Sequence, residues 1–306
     1  MSQTLLQLVQ SAATELGVGS SATITAVVSS TDNQTQQLYY LANALGAELS
    51  REYPWEALNK IHSFYTQYLT TTGTVTQGTY TITALGSTTG LNSNYMVSGV
   101  GINNDTYVVT NDSATQVTVS QPSTTSATAT TINFGQTIYP LPSDYDRQID
   151  RTHYDKSKRW EMLGPETPQQ WEFLHSSYIS TGPRMRYRIM GGKFQIWPQV
   201  STNEYLRFEY VSNAWASSSG GTAQSSLLAD TDTCIYPDRL MTLGLKKKFL
   251  EAKGLSSEAV SNEYYQQLSI AKSNDAGSAT LSMAPKMSSV LIGFENIPDG
   301  SIYGQG

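Results

Sequence analysis

Apolar side chains return every three or four residues in four stretches of the chain, and each return marks the buried stripe of a helix. Leu5, Leu6, Val9, Ala12, Ala13 and Leu16 make the first stripe, and Gly17 stands where a left-handed C-cap is wanted. A Gly- and Ser-rich loop runs to Ser30, and Thr31 with Gln34 forms the Thr-x-x-Gln pattern of a capping box. Leu38, Leu41, Ala42, Leu45 and Leu49 then form a second stripe, stopped by Pro54. Trp55 begins a short further turn before Phe64-Tyr65-Thr66 becomes extended. Near the other end, Leu240, Met241, Leu243, Leu245, Phe249 and Leu250 lead to Gly254, and Ser256 caps a last helix with Val260, Tyr264, Leu268 and Ala271 inward. Helices this short are unstable alone. Four of them with one stripe each predict a four-helix-type bundle drawn from both ends of the chain.

Between these helices the period changes to two. Tyr80 and Ile82 share a face, as do Tyr107 and Val109, Val117 and Val119, and Ile132 and Phe134. Gly86, Gly90, Gly99, Gly101 and Asn111-Asp112 punctuate these runs as turns. Short strands at regular spacing predict a small β-sandwich or barrel. Further on, Arg184 to Trp197 reads as two strands joined by a Gly191-Gly192 hairpin turn, and Tyr205 to Val211 as another. The fold class is therefore α+β: the bundle, a small β-sheet or barrel part, an inserted β-sandwich-like domain and an extended C-terminal tail. The expected division is a core of helical bundle plus β part over residues 1–70 and 137–276, an inserted β domain over 71–136, and an arm over 277–306. In that arm periodicity vanishes, while Leu281, Met283, Leu291, Ile292, Phe294, Ile297, Ile302 and Tyr303 remain without a local core.

Charge sharpens the division. No Lys or Arg occurs between Lys60 and Arg147, and from Thr71 to Gln136 the only formal charges are Asp105 and Asp112. The 306 residues are long enough for one large or two medium domains, and only 14 % are charged. A net charge of −6 argues against generic affinity for nucleic acid or anionic membrane. The start Met1-Ser2-Gln3-Thr4 lacks the basic region of a secretory signal, and no apolar run approaches a membrane span. A soluble protein made in the cytoplasm is expected.

Candidate chemistry is sparse. Cys234 is the only cysteine, which excludes an intrachain disulfide and a cysteine-based zinc site. His62, His153 and His175 show no metal-ligand spacing and read as surface or strand histidines. Asp144, Asp146, Asp150, Asp155 and Glu161 resemble a calcium loop only at their start: Ile149 replaces its glycine and Asp155 its bidentate Glu. The interleaved Arg147, Arg151, Lys156, Lys158 and Arg159 favour ion pairing instead. Lys246-Lys247-Lys248 fan around a helix and make no single basic face. Trp160, Trp171, Trp197 and Trp215 are spaced as core or interface anchors. No catalytic set emerges, so no enzyme, cofactor or metal is expected.

The order of short motifs carries a further signal. Val28-Ser29-Ser30-Thr31-Asp32, Leu41-Ala42-Asn43 and Arg51 through Leu58 resemble the start of tailed-phage, podovirus-type head-to-tail adaptor (connector) proteins. So do Leu141 through Arg147, Arg159-Trp160 through Gly164-Pro165, and Thr167-Pro168-Gln169-Gln170-Trp171. The likeness continues in Phe208 through Ser212, Asp230 through Thr233, Leu240 through Leu245 and Ala252 through Leu255. Leu91 through Ile102 and Gln116 through Ser120 are similar to a β module recurrent in phage virion proteins.

The resemblance implies a structural virion protein at the head-tail neck, assembled in the host cytoplasm. It would form a homo-oligomeric ring, in many members a dodecamer, between the portal protein and the tail nozzle or tail-hub protein. Genomic DNA would pass through its channel without sequence-specific binding. The arm residues Leu291, Ile292, Phe294, Ile297, Ile302 and Tyr303 would dock on the portal. Two other classes stay open: a carbohydrate-binding tail or adhesin subunit, suggested by the Thr/Ser-rich block and scattered Trp, and a virion-associated hydrolase. Helical pairs at both ends disfavour the first, and the missing acid/base pair disfavours the second.

Overall fold

The structure, a computed structural model, describes residues 3–176 and 184–275. Its first helix, α1 (Leu5–Leu16), buries Leu5, Leu8, Val9, Ala12 and Ala13, and Gly17 ends it at φ 72°. A Thr4–Gln7 capping box starts it, a polar signal that the apolar stripe does not contain. The second helix, α2 (Asn33–Glu52), starts differently from the Thr31–Gln34 expectation. Asp32 is the N-cap, its carboxylate accepting from the backbone N and Oγ1 of Thr35, both at 2.8 Å. An acceptor-only carboxylate meets two donors here, which the threonine one residue earlier does not.

A 3-10 turn at Glu56–Leu58 leads into β1 (Asn59–Tyr65), which begins five residues before the expected Phe64. The next six strands close into a barrel: β2 (Tyr68–Val75), β3 (Thr81–Thr83), β4 (Tyr95–Gly99), β5 (Thr106–Ser113), β6 (Gln116–Val119) and β7 (Ala127–Gln136), in the order β2-β3-β6-β5-β4-β7. The module is thus a closed barrel rather than a sandwich, and closure removes the edges that its uncharged surface would otherwise leave unprotected. Ile82, Val117, Val119, Ile132 and Phe134 fill it, as their alternation predicts.

Two details of the barrel differ from the period-two reading. Tyr80 precedes β3 and is exposed, and it is Thr106 and Val108, not Tyr107 and Val109, that point inward. A register shift between Val108 and Thr110 ends the alternation, and the Thr106 hydroxyl is satisfied inside by the Asn103 carbonyl at 2.7 Å. Asn111-Asp112 likewise lies within β5 rather than in a turn.

Past the barrel come β8 (Ile138–Pro140), β9 (Tyr145–Gln148), β10 (Tyr154–Asp155), β11 (Trp160–Glu161) and the capped helix α3 (Pro168–His175). The expected hairpin is β12 (Arg186–Met190) and β13 (Lys193–Trp197), turning through Gly191 and Gly192 at φ 59° and 70°. β13 also pairs with β8. β14 (Tyr205–Ser212) is the spine of a five-stranded sheet, with β1 along one side and β9 and β10 along the other. Aromatic side chains between these sheets, Tyr139, Tyr187, Phe194, Phe208 and Tyr210, form their own core. Three two-residue strands, β15 (Ala216–Ser217), β16 (Ala223–Gln224) and β17 (Thr233–Cys234), then lead to the last helices.

These are α4 (Asp238–Ala252) and α5 (Glu258–Asp275); α5 starts one residue later than a Ser256 cap requires. α4 buries six consecutive residues, Leu240 to Leu245, because α1, α2 and α5 all pack on it. The closest approaches use glycine. A Cβ on Gly244 would stand 2.6 Å from the Leu45 side chain, and one on Gly46 would stand 2.2 Å from the Trp215 ring. Alanine at position 46 gains roughly 1 kcal/mol of helix propensity but overpacks, at about 1–3 kcal/mol or more. Because three ring atoms lie within 2.5 Å of the added carbon, overpacking wins. Gly46→Ala is predicted to lose about 2 kcal/mol in urea unfolding; a gain would show that Trp215 does not lie against α2.

Candidate functional site

For a chain with no cleft chemistry in its sequence, the informative sites are those that hold parts together or remain uncovered. The first is the seam beneath the barrel. Met96 of β4 and Tyr107 of β5 face outward and pack on Trp171 and Leu174 of α3 and on Trp197 of β13. Tyr107 is therefore apolar on the outer face because that face is docked. Burial, with the Asp105 charge behind it, pushes its hydroxyl up to about 12. Polar bonds fix the same seam: His175 Nδ1 meets Asp105 Oδ1 at 2.5 Å, and Gln199 Nε2 donates to Ser98 Oγ at 2.9 Å. Gly135 permits the approach, since a Cβ there would lie 2.9 Å from the Gln199 side chain. Tyr139 Oη donates to the Gln136 carbonyl at 2.7 Å and accepts from Gln67 N at 3.2 Å, tying both ends of the barrel to β8.

The acidic run resolves into separate structural bonds. Asp144 accepts from Lys60 Nζ, Tyr210 Oη and Ser212 Oγ at 2.7, 2.8 and 2.7 Å. Partial burial opposes its charge, but these three donors prevail and hold its carboxyl down at about 2. Asp155 accepts from the backbone N of Ser157 and Lys158 at 2.9 and 3.1 Å. Beside it, buried Glu204 pairs with Lys158; desolvation nevertheless raises the Glu204 pKa. Among the described residues no group of three His, Cys, Asp or Glu could hold a metal ion. Cys234 is buried, its thiol pushed up to about 11 by desolvation.

The lysine triplet behaves as its fan requires. Lys246 reaches Glu15 of α1, Lys248 reaches Glu48 of α2, each at 2.7 Å, and Lys247 donates to Tyr265 of α5 at 2.9 Å. Of the five tryptophans, Trp55, Trp171, Trp197 and Trp215 are buried and Trp160 is exposed. The exposed apolar side chains include Tyr40 of α2, Ile61 and Tyr65 of β1, and Tyr265 and Ile270 of α5. The six arm residues from Leu291 to Tyr303 lie outside the described residues.

His153 departs from the surface or strand reading. It is 1 % exposed and stacks on Tyr187 at 4.0 Å and Phe208 at 5.0 Å, and neither ring nitrogen has a partner. Burial lowers its pKa to about 4. The unfolded chain therefore takes up a proton near pH 6.5 that the folded chain refuses until about pH 4. Stability is complete above the upper value and falls as pH drops between the two, by up to about 3 kcal/mol. Asp144 acts in the same direction lower down, its contribution lost as pH falls from 3.8 toward about 2. His153→Phe is predicted to be at least as stable as the parent at pH 7 and to flatten denaturant midpoints between pH 6.5 and 4. An unchanged slope in that window would place the acid sensitivity elsewhere.

No helix among the described residues is long and apolar enough to cross a membrane. No curated protein matches the chain at a significant level. The family described as SU10 adaptor protein matches residues 104–286, taking in the last three barrel strands, β8 to β17 and α3 to α5. Matched over more than half its length, the chain belongs to the SU10 adaptor protein family and is a structural phage head-to-tail adaptor of the virion.

Proposed function

We propose that copies of this chain close into a dodecameric ring between the portal protein and the tail nozzle or tail hub, with the genome passing through its centre. The observation that carries this reading is the family match across residues 104–286. In it α1, α2, α4 and α5 work as one four-helix-type bundle, and residues 71–136 are an inserted module on the ring's outer side. A net charge of −6 and the pairing of Lys246, Lys247 and Lys248 within the helical group suit a channel to which DNA does not adhere. Exposed Tyr40, Tyr265 and Ile270 are the type of side chain that lateral interfaces bury.

The arm, residues 277–306, is the portal-binding element of this reading, through Leu291, Ile292, Phe294, Ile297, Ile302 and Tyr303. Each large side chain buried there contributes about 1.5–3 kcal/mol before ordering costs. Repetition around a ring multiplies weak single contacts into a durable joint. Because Asp275 accepts a bond from Glu56 N, the informative cut falls after Asp275. Truncation there is predicted to keep helical circular dichroism and abolish attachment to portal rings in gradient sedimentation. Phe294→Ala with Ile297→Ala should weaken attachment in part. Equal attachment by intact and truncated chains would move the docking surface to the helices.

A further inference from the structure

Among the described residues β1 is an edge strand. It pairs with β14 along all seven residues, and among the described residues no strand pairs with its other side. In an antiparallel pair alternate residues direct N–H and C=O away from the partner. On this side Asn59 N donates to the Glu56 carbonyl and Tyr65 O accepts from Gln67 Nε2 at 3.4 Å, which leaves the backbone groups of Ile61 and Ser63 facing outward between them. Edge strands of this length are ordinarily blunted by bulges, prolines or projecting charges. β1 has regular register throughout, no proline, and Ile61, Ser63 and Tyr65 as its exposed residues. Its one lysine, Lys60, is held by Asp144.

The described part of the chain ends beside the turn that leads into β1. Asp275 Oδ2 accepts from Glu56 N at 2.8 Å, three residues before β1 begins. Two further contacts fix the same end of α5: Lys272 Nζ to Glu52 Oε1 at 2.9 Å, and Tyr53 Oη to the Lys272 carbonyl at 3.4 Å. The residues that follow contain a short period-two run which the longer arm obscures. Ala279, Leu281 and Met283 alternate with Ser278, Thr280 and Ser282, and Pro285 stops the run. Three residues separate Asp275 from Ser278, an extended reach of about 10 Å. Glu56 to Asn59 is covered by a 3-10 turn at about 2 Å per residue, so the chain length after Asp275 is sufficient for the run to draw level with β1.

We propose that Ser278–Met283 adds to the free edge of β1 in the same chain, as a parallel strand. The direction follows from the anchor: both segments leave the Glu56–Asp275 contact from the same end. Backbone bonds would supply the affinity and alternate side chains the register, as in other strand additions. Half-buried His62 and Phe64 on the inner side of β1 would gain cover from one face of the added strand. Residues 286–306 stay free for a portal contact, and the pairing does not depend on one.

Amide hydrogen exchange on the full chain tests this apart from any portal. The amides of 278–283 should exchange at least tenfold more slowly than those of 300–306. Truncation after Asp275 should raise exchange across β1 by a similar factor. Thr280→Pro with Leu281→Pro in the full chain should do the same with unchanged circular dichroism, since one of two successive amides must face β1. Protection that persists over a hundredfold dilution places the pairing within one chain. Protection lost on dilution would assign the strand to a second copy and overturn the proposal. So would free-peptide exchange at 278–283, or β1 exchange indifferent to both variants.

Discussion

The close approach of α2, α4 and Trp215 is the constraint on which the rest is arranged. Two glycines, Gly46 and Gly244, set it, each standing where a methyl group would collide with its neighbour. With α4 so near α2, and α1 and α5 on its other sides, a continuous stretch from Leu240 to Leu245 is buried. Its three lysines then have nowhere to go but outward along three different neighbours. The loop after β16 is held by the same packing: Tyr39 Oη and Asn43 Nδ2 both donate to the Leu227 carbonyl, and Leu227 N donates back to Asn43. A helix whose Leu240–Leu245 stretch is buried on every face has weak amphipathic patterning, which is why α4 reads less clearly than α1.

The barrel is attached on a different principle. Its interior is filled by its own residues, and on its outer face Met96 and Tyr107 pack on α3 and β13 while Tyr80, Val100 and Val109 stay exposed. The docking is therefore local, with Asp105–His175 and Ser98–Gln199 at its rim. Tyr139 closes the point where the chain leaves and returns, since the first and last strands pair there, Tyr68 opposite Gly135.

Much of this was legible in the residues, and the failures have identifiable causes. Val117, Val119, Ile132 and Phe134 sit in strands with one dry and one polar face, so alternation located them. β5 defeated the same rule because a register shift interrupts it and its outer tyrosine is half-buried against α3. His153 was misread because burial of an unpaired imidazole among aromatic rings costs free energy that no local pattern announces. Asp32 displaced Thr31 as a cap by one residue, a difference decided by Thr35 supplying two donors. The seam under the barrel joins residues about 70 apart, Asp105 and His175, and neither carries a signal of the other. The resemblance in short motifs survived all these errors because it rested on their order rather than on any element's edges.

The barrel's missing charges have a consequence beyond its fold. With Asp105 engaged by His175, Asp112 is the remaining formal charge between Thr71 and Gln136, and it is ringed by Thr110, Thr118 and Gln116. A surface of this kind has almost no field for dissolved ions to screen. A contact made through it would draw little of its strength from charge, and modest changes in ionic strength would leave it much the same.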